Sequence, residues 1–132
     1  MNTPRLFRVI LEVSDLDAAA RFYSVLLGAS GRRVSQERHY FECGPVILAI
    51  ISPNEGGGQA RPAPQPVYLA TSDLEAVYAR ASELNCLSAD LVHDAGAGEV
   101  VKRPWGERSF YAVDPDGNFL CFVDERTVFT GR

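Results

Sequence analysis

The groups in this chain that could do chemistry are three cysteines, two histidines, one tryptophan and a set of arginines and tyrosines. Cys43, Cys86 and Cys121 are odd in number and lack the Cys-x-x-Cys spacing of redox or zinc sites, so they read as free thiols. Cys121 could act as a nucleophile only beside a base or in an electropositive pocket. No Cys-His-Asp spacing supplies one. His39 and His93 show no metal-ligand spacing. The Gly56-Gly57-Gly58 run lacks the Lys-Ser/Thr pair and the strand-to-helix setting of a phosphate loop. Arg8 is charged at any physiological pH. It could hold a ligand carboxylate or phosphate, or pair with an internal acid such as Glu12. Trp105 reads either as a stacking platform or as a core aromatic.

Composition limits what these groups can serve. The chain has 132 residues, 46% hydrophobic and 23% charged, which fits one globular domain and excludes disorder. No apolar run approaches the ~20 residues of a membrane span. The opening residues lack a signal-peptide core, so a cytoplasmic protein is expected. The net charge of −4 argues against nucleic-acid binding. Residues 1–65 hold 7 Lys/Arg against 6 Asp/Glu, and residues 66–132 hold 6 against 11, giving +1 and −5. The acidic half is mildly suited to a cationic ligand.

An internal repeat organises the chain. Ser14-Asp15-Leu16-Asp17-Ala18 returns as Ser72-Asp73-Leu74-Glu75-Ala76, each after a short apolar run and each opening a helical pattern. In the first unit, Leu6–Val13 reads as a strand and Ser14 as the N-cap. Leu16, Ala19, Ala20, Tyr23, Leu26 and Leu27 form one helical face, and Gly28 is the C-cap. Strands are expected over about 31–36, 38–43 and 46–51, with a Gly44-Pro45 turn. Residues 53–65 read as a Gly/Pro-rich linker. The second unit repeats the plan. Val67–Ala70 is a strand, Ser72 caps a helix, and 89–93 and 99–102 are weaker strands. The pair 107–113 and 118–123 flanks the Asp114-Pro115-Asp116-Gly117-Asn118 turn. The expected pattern is βαβββ twice, over 5–52 and 66–125 of a single domain 1–132.

These residues resemble the vicinal oxygen chelate superfamily, the glyoxalase, bleomycin-resistance and extradiol-dioxygenase group. The resemblance rests on Val13-Ser14-Asp15-Leu16 with Phe22-Tyr23, and on Trp105-Gly106 with Asp114–Asn118. It implies an α+β fold of two βαβββ units, forming a curved mixed sheet around a cleft with the helices outside. The superfamily's metal enzymes place His and Glu at four equivalent strand positions. By the resemblance, these fall here on Arg8, Pro66, Cys121 and the apolar strand Val46–Ile51. Arg offers no lone pair, Pro no side-chain donor, and one thiol cannot complete a site. No metal and no cofactor are therefore expected.

What remains resembles the bleomycin-resistance branch, with Trp105-Gly106-Glu107-Arg108 lying upstream of the turn. That likeness implies a homodimer that sequesters a planar or cationic organic molecule, as in antibiotic resistance, without nucleic-acid or membrane partners. The expected ligand-binding residues are Arg8, His39, Phe41, Tyr68, Trp105, Tyr111 and Cys121, with no catalytic residue. Tyr111 matches a superfamily active-site tyrosine, Tyr68 shares strand parity with Pro66, and His39 depends on strand register. The alternative is an enzyme of the superfamily using Arg8, His39, Tyr111 or Cys121 in acid–base chemistry, or an unrecognised metal site. A ligand-sensing or partner-binding module is a third reading.

Overall fold

A computed structural model describes residues 2–53, 59–92 and 95–132. His93 and the Gly56–Gly58 run lie outside them, as does part of the expected linker. The chain divides into two compact units, Met1–Pro62 and Ala63–Arg132.

The first unit runs β1 (Arg8–Glu12), α1 (Leu16–Leu27), β2 (Arg32–Ser35), β3 (Arg38–Cys43) and β4 (Val46–Ile51). Its sheet order is β1-β4-β3-β2. The β1–β4 pair is parallel and the rest antiparallel. A parallel pair needs a crossover, and α1 begins it. The helix stripe read from the sequence is the buried one: Leu16, Ala19, Tyr23 and Leu26 pack beneath α1 with Leu11, Val13, Leu48 and Ile50. The helix start differs from expectation. Asp15, not Ser14, is the N-cap, its carboxylate accepting from the Ala18 N–H at 3.1 Å. The reason is spacing, since a cap must reach the third residue on. The C-cap is Gly28, as expected, at φ 68°, with its N–H directed at the carbonyls of Ser24 and Val25.

The second unit runs β5 (Val67–Thr71), α2 (Leu74–Glu83), a short hairpin β6 (Leu91–Val92) and β7 (Ala95–Gly96), then β8 (Val101–Lys102), β9 (Arg108–Val113) and β10 (Phe119–Asp124). The four-stranded sheet is ordered β5-β10-β9-β8, the same plan as in the first unit. Here too the cap is the aspartate: Asp73 accepts from the Ala76 N–H at 3.1 Å, where Ser72 was expected. Phe110 stacks on Phe122 at 5.4 Å and meets Tyr78 of α2 edge-on at 5.3 Å. The Asp114–Asn118 turn is closed by its own side chains. Asp114 accepts from the Asp116 and Asn118 N–H groups and from the Asn118 amide. Asn118 is fully buried, and its Oδ1 accepts from the Ala63 N–H at 2.8 Å. The fold is α+β, two βαβββ units with open mixed sheets. No helix among the described residues is long and apolar enough to cross a membrane.

Candidate functional site

In each unit the helix covers one face of the sheet, so strand parity decides which side chains can meet a ligand. In the first unit, register puts Arg8 across from Ile47, Ile10 across from Ala49, and Glu12 across from Ile51. On β3 the matching partners are Glu42, Tyr40 and Arg38. These residues share the face away from α1. Arg8 is exposed there, as expected.

His39 and Phe41 are not on that face, and the structure corrects both expectations. They alternate with Arg38, Tyr40 and Glu42 and turn under α1. Phe41 is 1% exposed and packs near Tyr23, with ring centroids 6.2 Å apart. His39 packs against Phe41 at 5.0 Å and donates Nε2–H to the Ser30 carbonyl at 3.0 Å. A Cβ on Gly31 would sit 2.8 Å from the Phe41 ring, which accounts for glycine there. The sequence reading missed Tyr40 on the open face. A usable signal existed: a two-residue Gly44-Pro45 turn pairs Cys43 with Val46 and hence Tyr40 with Ala49.

In the second unit the face away from α2 carries Tyr68 and Ala70 of β5, Cys121 and Val123 of β10, and Ser109 and Tyr111 of β9. Parity therefore brings Tyr68, Tyr111 and Cys121 together as expected. Access differs from expectation. Tyr68 is 56% exposed, but Tyr111 and Cys121 are 5% and 1% exposed. Ala97 packs with them and with Val123. Arg103, itself buried, lies over the Tyr111 ring with its guanidinium carbon 5.2 Å from the centroid. Nothing local in the sequence marks this cover. Tyr111 thus reaches outward only through its hydroxyl, 3.3 Å from that of Tyr68.

A ligand-accessible groove lies beside this cluster. It has a volume of about 400 Å³ and is lined by Tyr68, Leu69, Ala70, Trp105, Glu107, Val123, Val128 and Phe129. Pockets of that size accept small organic molecules. Glu107 is 8% exposed. Its carboxylate accepts from the Trp105 indole at 2.7 Å and from the Phe129 N–H at 2.9 Å. Those bonds fix the two aromatic walls on one acid. Glu107 and Phe129 were not among the expected site residues; they are far apart in sequence and only the fold joins them.

Burial sets the protonation of the reactive groups. It raises the Tyr111 phenol, helped by the bond to Tyr68, so that Tyr111 keeps its proton. It also raises Cys121, outweighing the opposing bonds from Ser109 and Tyr111. Burial pushes the Cys86 thiol up to about 11. These thiols are poor nucleophiles at neutral pH. We expect Cys86 and Cys121 of the folded protein to react roughly a hundredfold more slowly with a disulfide reagent at pH 7.5 than after unfolding in urea. Equal rates would disprove their burial. A raised folded-state value also carries a sign for stability. The Cys86 contribution is whole below about pH 8.5 and is lost as pH climbs to about 11.

A family model described as the Glyoxalase/Bleomycin resistance protein/Dioxygenase superfamily matches residues 5–122. The chain belongs to this superfamily. Among solved structures it is similar to a glyoxalase/bleomycin resistance protein from Albidiferax ferrireducens T118, at 20% identity and a TM-score of 0.72, covering 90% of this chain and 98% of that one. At that identity the likeness is one of fold. Oxidase ChaP-H1 is similar at 26% identity and a TM-score of 0.69, covering 92% and 96%. A glyoxalase/bleomycin resistance protein from Catenulispora acidiphila DSM 44928 shares 25% identity at a TM-score of 0.63, covering 90% and 96%. No curated protein sequence matches.

The metal positions implied by the resemblance can now be read in register. Cys121 lies across from Tyr68, so the equivalent position on β4, across from Ile10, is Ala49. The set is Arg8, Ala49, Pro66 and Cys121, a single potential donor, buried and held protonated. These residues do not fit a divalent ion.

Proposed function

We propose that this protein is a metal-independent small-molecule binder that sequesters a planar, cationic organic ligand in the groove of the second unit. The observation that carries the reading is the pairing of aromatic walls, Tyr68, Trp105 and Phe129, with one buried carboxylate, Glu107. Aromatic faces attract a delocalised cation through their quadrupoles, and the carboxylate adds charge complementarity in a partly dry setting. Tyr68 and Trp105 keep the ligand-contact role expected of them. Tyr111 supports Tyr68 from beneath, and Cys121 contributes packing. Following the bleomycin-resistance resemblance, the working form is a cytoplasmic homodimer, and native mass spectrometry checks the subunit count directly.

Trp105 is the chain's one tryptophan, so its fluorescence reports on the groove alone. N-methylacridinium should quench it saturably, bind more tightly than uncharged acridine, and be recovered unchanged. By isothermal titration calorimetry, which needs no tryptophan, Trp105→Ala and Glu107→Gln should each weaken binding about tenfold. No saturable binding, or undiminished affinity in both variants, would defeat the proposal. Similarity to an oxidase at 26% identity gives the enzyme alternative its footing, and consumption of the added compound would favour it.

A further inference from the structure

Both oxygens of the acid in the second unit's groove are already engaged by the protein. Glu107 Oε1 accepts from the Trp105 indole at 2.7 Å, and Oε2 accepts from the Phe129 N–H at 2.9 Å. Each donor is anchored by its own segment. On the Trp105 side a tight turn closes, the Gly106 N–H donating to the Arg103 carbonyl at 2.9 Å and the Arg103 N–H to the Glu107 carbonyl at 2.7 Å. On the Phe129 side, the Thr127 hydroxyl accepts from the Arg108 N–H at 3.0 Å and donates to the Asp124 carbonyl at 2.8 Å. Glu107 is 8% exposed, so a ligand atom finds little of the carboxylate to touch. Among the other side chains lining the groove, only the Tyr68 hydroxyl can accept a hydrogen bond. That hydroxyl already lies 3.3 Å from the hydroxyl of Tyr111.

We infer that the groove selects cations whose charged nitrogen is fully alkylated over cations of the same shape whose nitrogen carries N–H groups. The inference rests on the reading of this groove as a cation site and names the class of cation. Two effects separate here. The carboxylate field and the aromatic quadrupoles act on any positive charge through space and need no free lone pair. A hydrogen bond needs an available acceptor, and protein donors hold both oxygens of Glu107. An ammonium entering the groove therefore gives up water at each N–H and recovers little in return. An alkylated nitrogen has no N–H to strand, and its alkyl groups lie against the aromatic walls. Displacing the indole from Glu107 does not help the ammonium, because it strands the indole N–H instead.

The test uses the full chain, calorimetry and two probes of equal charge, naphthylmethyl-trimethylammonium and naphthylmethylammonium, at about pH 7, where each is a monocation. The trimethyl probe should bind about tenfold more tightly. Methyl area contributes to that ratio, so a variant isolates the hydrogen-bond part. Trp105→Phe keeps an aromatic face but removes the indole donor and frees Glu107 Oε1. The primary ammonium should then gain on the trimethyl probe, and the ratio should fall to about twofold. Methyl area is the same in both proteins and cancels in that comparison. The wild-type pair remains a test of its own if Trp105→Phe does not fold. N-methylacridinium is the control. If it saturates while the primary ammonium binds as tightly as the trimethyl probe, the inference is overturned and the cation reading of the groove stands. A ratio unchanged in folded Trp105→Phe also overturns it, because methyl area then explains the preference. If none of the three cations binds, the groove reading fails and the inference falls with it.

Discussion

Phe41→Ala should lower the stability of the protein by about 4 kcal/mol, in the range for emptying a fully packed phenylalanine site. Phe41 is 1% exposed, lies between Tyr23 and His39, and approaches Gly31 so closely that no side chain fits there. The neighbours that would have to collapse into the void sit on a helix and on paired strands, so relaxation is limited. Tyr40→Ala, one residue away on the open face, should cost only about 1 kcal/mol. Urea denaturation with a common slope measures both. If Phe41→Ala costs under about 1 kcal/mol, the side chain is not in the core and β3 does not hold this register against β4. Because Phe41 lies in the first unit, the N-methylacridinium titration should be unchanged by its loss wherever the protein stays folded.

Arg103→Ala should cost about 3 kcal/mol. Arg103 is 2% exposed. Its Nε–H donates to the Ser109 hydroxyl at 3.0 Å, and its Nη2 donates to the carbonyls of Ser109, Ala97 and Glu99 at 3.2–3.4 Å. One guanidinium thus ties the segment around Ala97–Glu99 to β9 and closes over Tyr111. Charged donors are stronger than neutral ones, but two effects hold the expected loss below a simple sum. The charge is desolvated, and Nη1 is buried with no partner among the described residues. Arg103→Lys keeps the charge but lacks the fork, so it should recover less than half of the loss. A loss below about 1 kcal/mol would mean that the segment is held by Ala97 packing and backbone bonds alone. Exposure of Tyr111 and Cys121 should accompany the alanine change, seen as faster reaction of the Cys121 thiol.

Local interactions explain what was legible before the fold was known. The Ser-Asp-Leu repeat located both helices, because capping and apolar spacing act within a few residues. Gly28 ended α1 as read, and the Asp114–Asn118 turn closed on its own side chains. The choice of cap was missed by one residue, which is the usual uncertainty of a helix boundary. The same likeness of motifs led to the superfamily and to the positions Arg8, Pro66 and Cys121, where side-chain chemistry alone argues against metal ligation.

Tertiary structure decided which face each side chain joined and what covered it. Alternation in Arg38–Cys43 shows that two faces exist, but aromatics stand on both, so composition could not tell Phe41 from Tyr40. Only pairing with β4 and packing under α1 did. Parity placed Tyr111 and Cys121 correctly, yet Arg103 and Ala97 cover them through contacts that no local pattern encodes. Glu107 met Phe129 by the same long-range route. A sequence determines its short-range bonds residue by residue, whereas burial is a property of the assembled chain.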